Sequence, residues 1–197
     1  MSAGRPRSQA TTKAVLDATL DLLCGEPYGR VSIERIAATA NVAKTAIYRR
    51  WCSKALLVAE ALRGDDDPFV ERDTGDVTAD LVALLERGWA EAHLPHRRVA
   101  LRVMVESHHD HELAGAIRNQ VIEPRREALR RVLRRGVARG QLAPDCDIEL
   151  LADLLAGPLL RAVLLEHGQP LPTDLARRTV ELALEGAKAR RAAPVSQ

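Results

Sequence analysis

Along almost the whole chain apolar residues recur every three or four positions, and no segment alternates with period two. That pattern gives each segment one apolar stripe on a helix and offers no face to a sheet. Val15, Leu16, Thr19, Leu20, Leu22 and Leu23 share a broad face in "SQATTKAVLDATLDLLCGE", which Gly25 and Pro27 stop. Leu81, Leu84, Leu85, Gly88 and Trp89 repeat the spacing, as do Leu113, Ile117 and Val121, then Leu129, Val132, Leu133 and Val137. Aromatic residues make up only 3% of the 197, so Leu, Val, Ile and Ala must build the core, which with this period favours helices. The expectation is an all-α protein.

Punctuation divides the helices. The polar, acidic "RGDDDPFVERDTG" is broken by Gly and Pro and predicts a boundary between a domain at 8–68 and a second at 74–190. Pro124 should kink or split a long helix, and Gly157–Pro158 interrupts another at a cost of about 3 kcal/mol if its ladder breaks. That second segment, "DIELLADLLAGPLLRAVLLEHG", is apolar nearly all round and should be buried on more than one side.

The stretch Ser32–Trp51, "SIERIAATANVAKTAIYRRW", asks for something more particular. Ile33, Ile36, Ala37 and Ala40 form the apolar side of a short helix that Ser32 should cap, and Ala37 is small where a second helix would cross. Asn41 is the non-glycine residue best suited to a left-handed turn, and Val42 and Ile47 face a following helix inward. Two short helices joined by such a turn make a helix-turn-helix at about 32–51. Lys44, Thr45, Tyr48, Arg49 and Arg50 are then left largely outward, a set suited to phosphates, guanine edges and thymine methyls. Helix N-termini at Ser32 and Ser53–Lys54 offer backbone N–H groups to phosphates. Charge alone would fit a solvated cationic face; the small–turn–apolar spacing favours a DNA duplex. Net charge is only +2, but the segment through Lys54 holds 9 Lys/Arg against 4 Asp/Glu, and the remainder 20 against 23. Arg5 and Arg7, beside Pro6 and ahead of the helical pattern, are expected to be an arm reaching the minor groove.

At these residues a resemblance becomes clear. "TTKAVLDATLDLLCGEPYGRVSIERIAATANVAKTAIYRRWCSKALLVAEAL" resembles the N-terminal domain of the TetR family of bacterial transcriptional regulators. The resemblance implies a three-helix DNA-binding domain, with base or phosphate contacts for Lys44, Thr45, Tyr48 and Arg49 and phosphate contacts for Ser32 and Lys54. Asn41 stands where that family usually has Gly. Thr74 to Ala187 is also similar to one subgroup, through "DTG", "EPRREAL" and "LLAGPLL". It implies a helical ligand-binding and dimerisation domain, a homodimer made by the last two helices, and an effector cavity among the middle ones.

The corresponding expectations are an interface containing Leu151, Leu155, Leu159, Val180 and Leu184, and a palindromic operator. Leu85, Trp89, Val103 and Met104 should wall a cavity for a small apolar effector, with His93 and His108 adding polar contacts. The whole would act as a ligand-released repressor without a cofactor.

Other features argue less. "ESHHDHE" gathers three His among carboxylates, which suits a transition metal, but Asp110 reads as the N-cap of a helix at His111, and a solvated junction is expected. The Arg run from Arg125 to Arg139 lies opposite an apolar stripe and reads as a solvated face with Glu127–Arg131 paired. No hydrolase elbow, P-loop, dinucleotide fingerprint or His–Glu metal motif occurs, so no enzyme is expected. Cys24, Cys52 and Cys146 are far apart and fit a reducing cytoplasm, and no apolar run is long enough to span a bilayer.

Overall fold

The computed structural model describes residues 5–64, 71–90, 95–165, 172–185 and 187, without the side chains of 5–8, 90, 95–98, 159 and 162–165. The described residues form ten α-helices and no strand: α1 (Arg5–Gly25), α2 (Ile33–Thr39), α3 (Lys44–Tyr48), α4 (Lys54–Arg63), α5 (Val77–Ala90), α6 (Pro95–Glu106), α7 (His111–Ile117), α8 (Glu123–Ala138), α9 (Ile148–Leu165) and α10 (Leu175–Glu185). The all-α expectation holds. Two compact units result, one of residues 1–67 and 94–124, the other of 68–93 and 125–197.

The first unit is built on α1, whose face of Val15, Leu16, Thr19 and Leu23 is buried as its spacing requires. Thr19 satisfies its buried hydroxyl by donating to the Val15 carbonyl at 2.7 Å. α4 packs against α1 and α7, and Leu57, Val58, Leu113 and Ile117 close the same core as Ile36 and Ile47. α1 starts at Arg5, so Arg5 and Arg7 lie within a helix rather than in an arm ahead of it; their side chains are outside the described residues. Pro6 explains why the chain permits this, since a first-turn proline sacrifices no intrahelical bond.

The second unit buries Leu81, Leu84, Leu85 and Trp89 of α5 with Leu129 and Leu133 of α8, Leu155 of α9, and Val180 and Leu184 of α10. The chain entering α5 is pinned by polar bonds. Asp76 caps α5 by accepting from the Thr78 and Ala79 amides, while buried Asp80 accepts from the Thr74 amide and hydroxyl.

Neither internal proline breaks its helix. α9 continues through Pro158. Before Pro124 the helical hydrogen bonding widens over Arg118–Ile122, where the Glu123 amide donates to the Arg118 carbonyl five residues back. A π turn is the expected response to a residue that lacks an N–H and crowds the carbonyl four residues earlier. The Arg run on α8 is less solvated than its pattern predicts. Arg130 is buried and pairs with Glu149 at 2.8 Å, and Arg131 pairs with Glu71 rather than Glu127.

Candidate nucleic-acid interface

The helix-turn-helix closes through its backbone. α2 starts at Ser32, whose side chain accepts from the Arg35 amide at 3.3 Å. It ends with Asn41 at φ 53°, the left-handed conformation expected of that residue. The Val42 amide donates to the Ala37 carbonyl at 2.9 Å and the Asn41 amide to Ala38 at 3.2 Å. Those two bonds make a Schellman stop, which turns the chain sharply into α3. Asn41→Gly is therefore expected to leave stability within about 1 kcal/mol, whereas Asn41→Val, with a branched Cβ at positive φ, should cost about 1–2 kcal/mol in chemical denaturation.

α3 is held from behind. Ile47 is fully buried, and Trp51 is buried with its indole N–H donating to Glu60 at 2.8 Å. The remaining side chains point away from this core: Lys44, Thr45, Arg49 and Arg50 are exposed, and Tyr48 is 54% exposed. So the structure leaves all five predicted residues exposed. It adds one that the sequence reading missed. Glu34, in the first turn of α2, accepts from the Lys44 ammonium at 3.1 Å. Its own backbone N–H and the Lys44 hydrogen bond hold its carboxyl below the usual range. The available signal was a lone acid in a cationic stretch.

Lys54 is turned the other way from its expected phosphate. Its ammonium donates to the carbonyls of Tyr28 at 3.2 Å and Val31 at 3.0 Å and lies 3.8 Å from the Tyr28 ring centre. Burial lowers its pKa, against the opposing pull of the Asp110 charge. The Tyr28 phenol is pushed up to about 12, mainly by burial and further by Asp110 and Glu112. The Tyr28 amide donates to Glu106 at 2.7 Å, and Arg102 donates to the carbonyls of Leu23 and Glu26 where α1 ends. The segment joining α1 to α2 is thereby fixed from several sides.

Lys54→Met should cost about 1–3 kcal/mol of stability by stranding two carbonyls. The salt slope of DNA binding should stay unchanged. A slope lower by about 1 with unaltered stability would instead place Lys54 on a phosphate.

The other candidate residues fall differently from expectation. Leu85 and Trp89 belong to the core of the second unit, Val103 and Met104 to that of the first, and His108 is exposed. His93 lies outside the described residues. Leu151, Leu155, Val180 and Leu184 are buried within their own chain, so they are core residues and not an exposed interface; the Leu159 side chain lies outside the described residues. The reason is helix phase: among the described side chains of α9 and α10, the large apolar ones left outward are Leu150, Leu154, Leu160 and Leu182. Asp110 caps α7 as expected, accepting from the Leu113 amide at 3.0 Å. Among the described residues no group of His, Cys, Asp and Glu is placed to hold a metal, and no helix is long and apolar enough to cross a membrane.

Comparison with known proteins bears on the same two segments. Residues 15–61 match the family described as bacterial regulatory proteins, tetR family, and residues 71–183 match the tetracyclin repressor-like C-terminal domain. The DNA-binding transcriptional repressor TetR of Mycobacteroides abscessus is 34% identical over 89% of this chain and 92% of its own length. The HTH-type transcriptional regulator YdeS of Bacillus subtilis is 30% identical over 94% of each chain. Among solved structures, the TetR family transcription regulator SCO0332 superposes with a TM-score of 0.69 at 29% identity, covering 90% of this chain and 98% of that one.

Proposed function

The chain belongs to the TetR family and is a DNA-binding transcriptional regulator; from that premise we propose that it is a cytoplasmic homodimeric repressor, released from a palindromic operator by a small, largely apolar effector. Regulators of this family bind operator DNA and form dimers. The DNA-binding part is 8–68 and the effector and dimerisation part 74–190. The observation that carries the DNA reading is α3, sealed on one side by Ile47 and presenting Lys44, Thr45 and Tyr48 on the other.

Side-chain chemistry assigns the roles. Lys44 and Thr45 meet base edges; Tyr48, Arg49, Arg50 and the N-terminus of α2 at Ser32 meet phosphates, and Arg5 and Arg7 add backbone contacts. One such head makes few phosphate contacts, and a dimer fixes two at a set spacing. Support for a second copy comes from α9, whose apolar sequence leaves Leu150, Leu154 and Leu160 exposed within one chain. Leu182, on α10, is 71% exposed and borders an open groove with Arg178, Glu181 and Glu185.

The name of the Mycobacteroides abscessus relative supports repression as the outcome. Among structures that share the fold, the regulator FadR of Bacillus subtilis was solved with stearoyl-CoA, at 18% identity and a TM-score of 0.69. That neighbour supports a helical domain of this kind accommodating a ligand with a long apolar chain. Release requires the effector to favour the head spacing that does not fit DNA, since equal affinity for both states shifts nothing.

Salt-dependent gel shift with genomic fragments, followed by footprinting, tests the reading. Discrete retardation and two protected half-sites related by a dyad are expected. Diffuse retardation that ignores sequence would contradict it.

A further inference from the structure

We propose that Glu34 is a specificity-determining residue of the DNA-binding surface, a carboxylate that restrains Lys44 and penalises contact with phosphate where no base edge compensates. The inference rests on the reading of α3 as the DNA-contacting helix. Between Ser32 and Lys54 the sequence has one acid, Glu34, among five basic residues: Arg35, Lys44, Arg49, Arg50 and Lys54. Its placement is not incidental to α3. Its oxygen lies 3.1 Å from the ammonium of the helix's first residue, with the two side chains 60% and 53% exposed.

An ion pair this open contributes little to folding, because solvent screens it and two long side chains lose freedom in forming it. Its consequences fall on what approaches the surface. Non-specific affinity comes from cations that replace the counterions on phosphate, and Lys44 enters such contacts already neutralised. Phosphate oxygens are acceptors only, so they repel the carboxylate. Base edges differ: guanine offers two acceptors to Lys44, while cytosine and adenine carry amino groups that donate to a carboxylate. A matching site thus satisfies both members of the pair, and the backbone alone satisfies one at the expense of the other. Glu34 lowers affinity for the wrong DNA more than for the right DNA.

The test compares the full-length wild type, Glu34→Gln and Asp17→Asn. Asp17 pairs with Lys13 at 2.8 Å on α1, so its substitution removes the same charge from an exposed pair elsewhere. Binding is measured by fluorescence anisotropy across a salt series, to a duplex selected by the wild type from a random pool and to a scrambled duplex of the same composition. Melting curves confirm that all three proteins are folded. Glu34→Gln should bind the scrambled duplex about five- to ten-fold more tightly at low salt, with a log–log salt slope steeper by about 0.9, the value of one added phosphate contact. Affinity for the selected duplex should rise less, so discrimination shrinks, and Asp17→Asn should change neither. Unchanged binding of the scrambled duplex by Glu34→Gln, or an equal gain in Asp17→Asn, would overturn the role of Glu34 while leaving DNA binding by α3 standing. A wild type that binds both duplexes alike, or neither, would remove the DNA reading itself and this inference with it.

Discussion

Leu155→Arg is expected to unfold the second helical unit, whereas Leu154→Arg, one residue earlier, should leave it folded and convert the dimer to monomers. Leu155 is fully buried among the side chains of α5, α8 and α10. An Arg there loses the packing of the Leu and buries a charge without a partner, each costing several kcal/mol, or roughly 5 together. That approaches the whole stability of an ordinary domain, about 5–15 kcal/mol. Leu154 is 50% exposed within the chain, so its replacement disturbs far less internal packing than that of Leu155. Placed in a dimer contact, however, the new charge would be buried against the partner without a counter-charge. Circular dichroism with sedimentation velocity separates the two outcomes. A Leu154→Arg protein that remains dimeric would move the interface off this face of α9.

The second large effect is expected at Trp51, which joins α3 to α4 and contacts no DNA in the arrangement proposed. Its ring is 4% exposed, and its N–H reaches Glu60 on α4. Trp51→Ala removes the largest side chain of the DNA-binding core and should cost about 3–5 kcal/mol. Trp51→Phe retains most of the packing but leaves the Glu60 carboxylate without its donor, for a loss of about 1–3 kcal/mol. Operator affinity should follow the order wild type, Phe, Ala, in step with denaturation midpoints. Loss of affinity in a Trp51→Phe protein of undiminished stability would show that the indole itself takes part in binding.

Much of the architecture was legible because local and tertiary demands agree. Ser32, Ser53 and Asp110 cap the helices their positions predict, and Asn41 adopts positive φ where the turn requires it. What the sequence hid is helix phase in the presence of two apolar faces. On α9 leucines occupy both sides, and period alone does not tell which side the chain keeps for itself; Leu151 and Leu155 went inward, Leu150 and Leu154 outward. Long-range polar partners were hidden for a different reason. Lys54 is as basic as any residue near α3, and only the carbonyls of Tyr28 and Val31 folding back to it reveal its inward role. The Lys44–Glu34 pair likewise depends on the crossing of two helices, ten residues apart in sequence. Pro6 and Pro158 both lie within helices, one in a first turn and the other in a helix that continues past it.

The most direct test of the DNA-reading role of α3 is the discrimination ratio of a Lys44→Ala, Thr45→Ala protein, measured against the wild type on its selected duplex and on a scrambled one. Both side chains are exposed and make no core contact, so the fold should persist. Each base contact is worth about 1–3 kcal/mol of discrimination, so preference for the selected duplex should fall at least ten-fold. Affinity for the scrambled duplex, assigned in the proposed arrangement mainly to phosphate contacts from Tyr48, Arg49 and Arg50, should fall far less. An equal loss on both duplexes, with the ratio preserved, would contradict base reading by α3.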